Sequence, residues 1–457
     1  MNQKKLKSIF LSINKYLGLA LPIWMESRKS LVFYFLLDLI VFILMFDKDT
    51  KISLDISNLR ISCLYFIWGL NSYIFGRYNR NYKYNRLFLN LYYLLINTAI
   101  TVLITYLIDK VSIIFLKETI PIGRNLFFNI GLISLIIQSL RSVTMHYSKF
   151  IDKSIFIVGE KDDIRNFKFK IKNFKIFKNI VEIDEKHLSE TVKNNQTKFL
   201  TFIIVSQNNL INNYEFIMNT SASRNIEILS ASEWFEKYLQ KIPPDYLNYN
   251  PLEFNILSSN TINTRIKRIG DIVVSIIILI ITLPLVIIAA ILIKLEDNGP
   301  IFYNQIRTGL FDQELKIIKL RSMKENSELL GPVWSKPKDR RITKIGYLLR
   351  KTRIDEIPQL WNVLLGDMSL IGPRPERPEI EKELNKEIPN YKCRHTIKPG
   401  LSGWAQVNFP YGASIEDSSE KLSYDLFYIK NKSLWLDFLI LLKTIKIIVT
   451  MDGSLPR

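Results

Sequence analysis

The residues best suited to chemistry lie where two carboxylates, Asp355 and Glu356, stand side by side in the sequence. Pro358 follows them and fits the first turn of a helix, because proline has no N–H to leave unpaired there. Gly366 is then expected to end that helix. An acidic pair at a helix N-terminus lies where unpaired N–H groups and the helix dipole favour phosphate. An ordinary acidic N-cap is the structural alternative.

Basic side chains surround this pair in the sequence. Arg350 and Arg353 precede it, and Arg374 follows it between Pro373 and Pro375, which leave that peptide little conformational freedom. Further polar residues lie upstream at Gln305, Arg307, Lys319 and Arg321. Because arginine binds phosphate through a bidentate fork, this set predicts a pyrophosphate site. Solvated surface charges are the alternative reading of the same residues.

Ordered motifs between Arg265 and Asp452 resemble those of the bacterial polyprenyl-phosphate sugar-1-phosphate transferases, also called monotopic phosphoglycosyl transferases. The matching motifs are Lys267–Asp271, Gly299–Arg307, Lys319–Met323, Asp355–Gln359, Gly366–Pro375 and Lys398–Val407. Together with the segments that precede them, described below, they extend the likeness to the large form of that family and to essentially the whole chain.

The resemblance implies a two-step transfer in which Asp355 attacks the β-phosphorus of a UDP-sugar and releases UMP. Undecaprenyl phosphate then takes the sugar phosphate from an aspartyl-phosphosugar intermediate, a reaction for which a carboxylate nucleophile is well suited. Glu356 is implied to hold Mg²⁺, which offsets phosphate charge. Lys319, Arg350 and Arg374 fall where the family keeps essential cations. The wider set of expected substrate or phosphate contacts is Gln305, Arg307, Arg321, Pro373, Pro375, Trp404 and Gln406.

The sequence departs from the family pattern at two places, and the second of them concerns the choice of sugar. Arg340 stands where relatives often carry proline, and residues 409–414 lack the arginine that many relatives carry shortly after Asn408. This loop is a candidate sugar or phosphate contact, so the sugar stays open. Glucose or galactose fits the large form, and N-acetylated sugars are not excluded. Trp404 is suited either to stacking on uracil or sugar or to packing beneath the loop.

Apolar segments must position this chemistry at a membrane. Four of them, at roughly 30–46, 57–76, 87–108 and 125–141, approach the about 20 residues that cross a bilayer as a helix. Buried helices of a soluble domain are the alternative. The linker between the second and third segments is basic, so the positive-inside rule places the N-terminus and everything after residue 150 in the cytoplasm. We expect the bacterial inner membrane as the location and no cleaved signal peptide.

A fifth apolar segment, at 270–295, has Leu283 and Pro284 near its middle, where proline kinks a helix. It is long enough to span the bilayer, but the family resemblance implies a re-entrant helix that turns back at this pair. The substrate phosphate would then lie at the inner leaflet beside Asp355. Near the C-terminus, a helix from Leu434 to about Thr450 is predicted, lying either on the membrane surface or in the core.

The middle of the chain, residues 149–250, opens with a buried-strand pattern at Ser154–Gly159 and has a second at Phe199–Val205. These predict a parallel α/β unit, a degenerate Rossmann-like and CoA-binding-like domain. A dinucleotide site needs a glycine-rich turn, and no glycine occurs between Gly159 and Gly270, so no such cofactor is expected.

The predicted fold is therefore a membrane α-helical bundle (1–148), the α/β Rossmann-like domain (149–250) and a mainly α, membrane-embedded catalytic domain (262–457) with a re-entrant helix. The expected partners are a UDP-sugar, undecaprenyl phosphate and the lipid bilayer. The net charge of +19 is attributed to topology and solubility rather than to nucleic-acid binding. Two cysteines and three histidines exclude a disulfide framework and offer no zinc site.

Three rival functions use the same residues. A phosphatase or nucleotide-sugar hydrolase would release sugar phosphate without lipid, and a non-catalytic scaffold would release nothing. A glycosyltransferase that moves the sugar alone would release UDP instead of UMP. The polymer supplied (capsule, exopolysaccharide or O-antigen) and the oligomeric state, including a homodimer, stay open.

Overall fold

The structure is a computed structural model that describes residues 35–41, 57–74, 87–116, 124–148, 154–171, 180–183, 200–204, 226–247, 261–325, 327, 339–409, 412 and 414–450. Its first part is helical. Residues 35–41 are followed by α1 (Ser57–Ile74), α2 (Leu87–Leu116) and α3 (Arg124–Ser148). The predicted apolar segments thus fall on helices, although parts of the first lie outside the described residues.

These N-terminal helices bury polar as well as apolar side chains and expose large apolar ones. Thr101 and Thr105 of α2 are buried, and Ser134 of α3 donates a 2.7 Å hydrogen bond to the buried carboxylate of Asp38. Large apolar side chains such as Leu103 point outwards and are exposed. Water would penalise this arrangement, whereas lipid favours it, because polar groups in a membrane bundle face its interior. The exposure pattern therefore supports a lipid environment, and the predicted four crossings remain a prediction.

The middle region contains a four-stranded parallel sheet in the order β2-β1-β3-β4. Its strands and first helix are β1 (Ser154–Val158), α4 (Lys161–Ile171), β2 (Ile180–Ile183), β3 (Leu200–Ile204) and β4 (Ile226–Ser230). Ile164 and Phe167 of α4 pack into a core with Ile157, Ile203 and Trp234. Both strands predicted from the sequence are confirmed, as is their parallel direction. The Rossmann-like assignment stays a prediction.

A short connecting segment leads from this sheet into the catalytic region. It comprises α5 (Ala231–Trp234), a π-helical turn (Phe235–Leu239) and a 3-10 turn (Pro244–Tyr246). Gln240 lies between them with φ of 55°, in the left-handed region. Ile242 is inserted into the core of the catalytic region. We call the contact of residues 235–247 with the catalytic region the seam.

The catalytic region is mainly helical, as predicted. Its helices are α6 (Thr261–Asp297), α7 (Lys344–Thr352), α8 (Leu360–Leu365), α9 (Pro378–Glu387), α10 (Trp404–Asn408), α11 (Ile415–Asn431) and α12 (Leu434–Thr450). Its strands form an antiparallel hairpin, β5 (Phe302–Thr308) with β6 (Glu314–Leu320), and a short parallel pair, β7 (Ser369–Ile371) with β8 (Gly400–Ser402). The predicted C-terminal helix is confirmed by α12.

By length and hydropathy, one helix among the described residues passes as a membrane span, the Asn263–Asp297 part of α6. It runs through Pro284 without a non-helical residue, so the predicted break at Leu283 and Pro284 does not divide it into two helices. Just before that point the apolar side chains are strongly exposed, with Ile280 at 68% and Ile281 at 69%.

Both ends of α6 nevertheless pack on the catalytic region. Near the N-terminal end, Arg268 donates to the carbonyls of Val363 and Leu364 of α8, at 2.5 and 2.8 Å. At the C-terminal end, Glu296 accepts a 2.8 Å hydrogen bond from the N–H of Lys344 of α7. The two ends of this apolar helix are thus held by one and the same unit.

Candidate active site

The acidic pair lies in a 3-10 helix, Ile354–Gln359, between α7 and α8. Arg353 ends α7 in the left-handed region, with φ of 60°, and turns the chain so that Asp355 and Glu356 follow at once. No side chain caps this turn. The acidic pair therefore does not form an ordinary N-cap of a regular helix, which was the structural alternative. Pro358 lies inside a tight turn instead, and the α-helix begins only at Leu360. Gly366 ends α8 with φ of 98°, as predicted.

Three cations converge on Glu356. Arg374 binds it through both terminal nitrogens, with Nη2 2.5 Å from Oε1 and Nη1 3.3 Å from Oε2. Arg353 lies 3.6 Å from Oε2, and Lys319 of β6 lies 4.0 Å from Oε1. Burial favours the neutral acid, but the three cations outweigh it and hold the pKa of Glu356 far below its usual range. Glu356 is therefore firmly ionised.

Asp355 has the opposite environment although it is the next residue. Only 7% of it is exposed, and no described residue makes a hydrogen bond or ion pair with its carboxylate. Burial and the negative charge of Glu356 raise the pKa of Asp355, against the weaker opposing effect of Lys319 and the nearby arginines. Neighbouring carboxylates whose environments push their pKa values apart are a recurrent sign of divided catalytic roles.

Arg350 and Lys319 border Asp355. Arg350 of α7 favours the ionised form of Asp355 through its charge, and its Nε donates a 2.9 Å hydrogen bond to the Ser322 hydroxyl. Burial and the nearby Arg374 lower the pKa of Lys319, so this amine releases its proton more readily than a surface lysine. Lys319, Arg350 and Arg374, the cations that the family resemblance implies to be essential, thus lie together around the acidic pair.

Arg374 projects from a segment that we call the Arg374 loop, Gly372–Glu376, which leaves the end of β7. The N–H of Gly372 donates to Ser402 at 2.9 Å, and the Pro373 carbonyl accepts a 2.8 Å bond from the N–H of Gly400. A Cβ added to Gly400 would lie 2.0 Å from the nitrogen of Gly372, so the close approach requires glycine. The loop is consequently fixed from behind along its backbone.

Gln305 and Arg307 of β5 lie beside this loop rather than beside the acidic pair. Arg307 donates to Gln305 at 2.6 and 2.9 Å and to the Pro375 carbonyl at 3.3 Å. Pro373 and Pro375 act here through their carbonyls. These four predicted contacts therefore surround Arg374 and support its backbone.

Three other predicted site residues have structural partners elsewhere. Arg321 forms an ion pair with Asp297 at the end of α6. Trp404 is only 1% exposed and donates its indole N–H to the Gln240 carbonyl at 2.9 Å, which favours packing over stacking on substrate. Gln406 donates a 3.3 Å hydrogen bond to the Leu401 carbonyl.

The geometry brings to the site two residues that the list of expected substrate contacts did not contain. Arg353 precedes Glu356 by three residues, a spacing at which side chains meet across one turn, so the sequence carried a signal for it. Arg394 donates a 2.7 Å hydrogen bond to the Arg374 carbonyl. A side chain that binds a distant backbone carbonyl leaves no pattern in the sequence.

The described residues contain no group of three His, Cys, Asp or Glu side chains that would hold a metal by themselves. Mg²⁺ usually binds through one or two carboxylates together with waters and substrate phosphates. Asp355 offers such a carboxylate, whereas Glu356 would have to exchange a guanidinium for the metal. The acidic pair therefore fits a Mg²⁺ ion shared with substrate rather than a site built by the protein alone.

The domain combines helices and a hairpin with a buried acidic pair, of which Glu356 is bound by three cations, and it is attached to a long apolar helix. These features define a membrane-associated protein with a buried, charged candidate site. The family described as bacterial sugar transferase matches residues 262–451. The chain belongs to this bacterial sugar transferase family.

Curated relatives show the same affiliation. An Aeromonas hydrophila relative, named UDP-N-acetylgalactosamine-undecaprenyl-phosphate N-acetylgalactosaminephosphotransferase, is 41% identical over 245 residues, which cover 54% of this chain and 57% of the relative. Relatives named UDP-glucose:undecaprenyl-phosphate glucose-1-phosphate transferase occur in Escherichia coli and Caulobacter vibrioides. They are 37% identical over 188 residues (40% of each chain) and 38% identical over 190 residues (41% of this chain, 71% of the relative). The chain thus matches about half the length of the first of these relatives and less of the second.

Proposed function

We propose that this protein transfers a sugar 1-phosphate from a UDP-sugar to undecaprenyl phosphate and releases UMP. The observation that carries the proposal is the asymmetry of the acidic pair: Glu356 is held by three cations, while the adjacent Asp355 carboxylate has no bound partner among the described residues. The names of the relatives supply the two substrate classes. A free, buried carboxylate beside fixed cations suits attack on a phosphorus atom.

In the first step, an Asp355 oxygen forms a bond to the β-phosphorus. The bond from that phosphorus to the bridging oxygen breaks, and UMP leaves with the bridging oxygen. In the second step, a phosphate oxygen of undecaprenyl phosphate attacks the same phosphorus, and the bond to Asp355 breaks. The products are the sugar diphospholipid and the regenerated carboxylate, so atoms and charge balance.

The surrounding cations stabilise charge that develops in both steps. Lys319, Arg350 and Arg374 are fixed before substrate arrives, so little reorganisation is needed when the phosphate charge shifts. Glu356 keeps Arg374 and Lys319 in place before substrate binds, and it would hold Mg²⁺ together with the substrate phosphates by exchanging the Arg374 guanidinium for the metal. When bound, Mg²⁺ would neutralise charge on the pyrophosphate and on the departing UMP.

The membrane geometry supports a lipid acceptor. If α6 crossed the bilayer, its two ends would lie on opposite sides, yet Arg268 and Glu296 near those ends both bind the catalytic region. We propose that α6 enters the inner leaflet from the cytoplasmic side and that its exposed middle, around Ile280, lies in lipid. The multi-pass bundle and the cytoplasmic location of the site belong to the same proposal. So does the role, an early membrane step of capsule, exopolysaccharide or O-antigen synthesis.

The test uses full-length protein with undecaprenyl phosphate, Mg²⁺ and a panel of UDP-glucose, UDP-galactose and their N-acetylated forms. We expect UMP release that requires the lipid. UDP release would indicate transfer of the sugar alone, and sugar phosphate formed without lipid would indicate hydrolysis. Without lipid, mass spectrometry of quenched protein should find a phosphosugar on the peptide that contains Asp355, and Asp355→Asn should abolish that adduct.

A further inference from the structure

A buried ion pair lies directly behind the Arg374 loop. Arg394, in the 3-10 helix Tyr391–Thr396, binds Asp425 of α11 with 3.1 Å between Nη2 and Oδ2. Arg394 is 6% exposed and Asp425 2% exposed. The other terminal nitrogen, Nη1, donates a 2.6 Å hydrogen bond to the Tyr391 hydroxyl. Neither charged group is placed to touch a substrate in the site.

The same Nη2 atom also donates to the carbonyl of Arg374, at 2.7 Å. Arg374 is thus held at both ends: its carbonyl by Arg394 and its guanidinium against Glu356. The carbonyls on either side accept hydrogen bonds from other groups. The Pro373 carbonyl accepts from the N–H of Gly400, and the Pro375 carbonyl accepts from Arg307. Among the described residues, Arg394 is the side chain that binds the backbone carbonyl of Arg374 itself.

The geometry points to Arg394 as a positioning residue of the transfer, which acts through the Arg374 backbone and is itself oriented by Asp425. The inference rests on the proposed function. A planar guanidinium suits this role because its donors have fixed relative directions and can hold Asp425, Tyr391 and the carbonyl together. Burying an ion pair is costly and stabilises a fold only weakly, whereas it can hold a neighbouring group in one orientation.

A positional error of about 1 Å in a catalytic group can cost on the order of 10²-fold in rate. We therefore expect Arg394→Gln to lower kcat by roughly this factor while the KM for the UDP-sugar changes by less than about threefold. Glu420→Gln is the matched control. Glu420 lies on α11, as Asp425 does, and its substitution breaks a partly buried ion pair with Lys241 without touching the Arg374 loop. It should therefore lower thermal stability and leave kcat unchanged.

A double-mutant cycle tests whether Arg394 acts through Arg374. Arg374→Lys keeps a charge but loses the bidentate contact with Glu356, and it should retain measurable turnover. In that background, Arg394→Gln should cost less than about threefold, because the orientation it protects is already lost. Independent, multiplying effects of the two substitutions would overturn the inference. If Arg394→Gln alone does not fold, the cycle is run with Arg394→Gln/Asp425→Asn, which removes both buried charges.

Hydrogen exchange separates this inference from the proposed function. In Arg394→Gln, the peptide that contains residues 372–376 should exchange faster than in the wild type, and in Glu420→Gln it should not. Unchanged exchange in Arg394→Gln would refute the positioning role even if the enzyme is active. Faster exchange together with a wild type that releases no UMP would leave the positioning role standing and reject the proposed function.

Discussion

The candidate active site and the seam both place carboxylates next to cations in partly or fully buried surroundings, but they distribute the charges differently. In the seam each carboxylate has its own cation: Lys241 lies 2.6 Å from Glu420, and Lys430 lies 2.9 Å from Glu236. In the site, three cations share Glu356 and the neighbouring Asp355 binds none of them directly. One-to-one pairing satisfies charges and holds parts together. Uneven pairing leaves one carboxylate without a bound cation, as the proposed transfer requires.

The largest expected effect comes from removing the unpaired carboxylate. Asp355→Asn should lower UMP release by about 10⁴-fold or more, because an amide cannot form the phosphoryl intermediate. Since burial disfavours the charge on Asp355, this variant should not lower the melting temperature.

Glu236→Gln is the corresponding substitution in the seam, and the opposite combination of stability and turnover is expected from it. It breaks the Lys430 pair in the seam, so its melting temperature should fall while its kcat stays near that of the wild type. If Asp355→Asn and Glu236→Gln gave the same combination of stability and turnover, the contrast between the two regions would be refuted.

A smaller effect is expected from neutralising the shared carboxylate. Glu356→Gln leaves Arg374 and Lys319 without their anion, and kcat should fall on the order of 10²-fold through lost positioning. The negative charge of Glu356 raises the pKa of Asp355, so its removal lets Asp355 ionise at lower pH. The acid limb of kcat/KM should therefore move to lower pH.

The pH profile of kcat/KM, measured with saturating lipid, checks this direction. Glu420→Gln removes a carboxylate from the seam instead and should leave the acid limb where it is in the wild type. An acid limb that stays fixed or moves to higher pH in Glu356→Gln would contradict the electrostatic link between the two acids.

Local features of this fold could be predicted from sequence because their causes are local. Gly366 ends α8 since it reaches a φ of 98°, and apolar periodicity gives α12 its bounds. Proximity of Lys319, Arg350 and Arg374 to the acidic pair followed from the family motifs. The turn type at Asp355 did not, because it depends on Arg353 adopting a left-handed conformation just before it.

Contacts between residues that are far apart in the sequence could not be predicted, because they too depend on non-local structure. Arg321 binds Asp297 at the end of α6, and Trp404 donates to a carbonyl in the seam. Both contacts depend on how separate segments fold together. From the sequence alone, a basic residue that faces the acidic pair cannot be distinguished from one that has a structural partner. The sequence therefore identified a set of cations, and the structure divides it into those that face the acids and those that hold the backbone.

In the seam, Ile242→Ala tests how far the connecting segment belongs to the catalytic core. Ile242 is buried there, and its N–H donates a 2.8 Å hydrogen bond to Ser423 of α11. The substitution should cost about 2–4 kcal/mol of unfolding free energy through the cavity it leaves. The exposed Ile415→Ala should cost less than about 0.5 kcal/mol. Equal thermal unfolding curves for the two variants would argue against a structural seam.

The smallest effect on turnover is expected from a substitution of Trp404. It tests whether the Trp404 ring belongs to the seam or to the candidate site. Trp404→Phe keeps an aromatic ring but loses the hydrogen bond to the Gln240 carbonyl, at a cost of about 1–2 kcal/mol in stability. Because the ring is buried against Phe427 rather than exposed to substrate, the KM for the UDP-sugar should stay within about twofold of the wild type. Thermal unfolding and steady-state kinetics on the same preparation measure both quantities. A tenfold rise in KM with unchanged stability would correspond to about 1.4 kcal/mol of lost binding. This result would indicate that Trp404 contacts the substrate and would contradict its assignment to the seam.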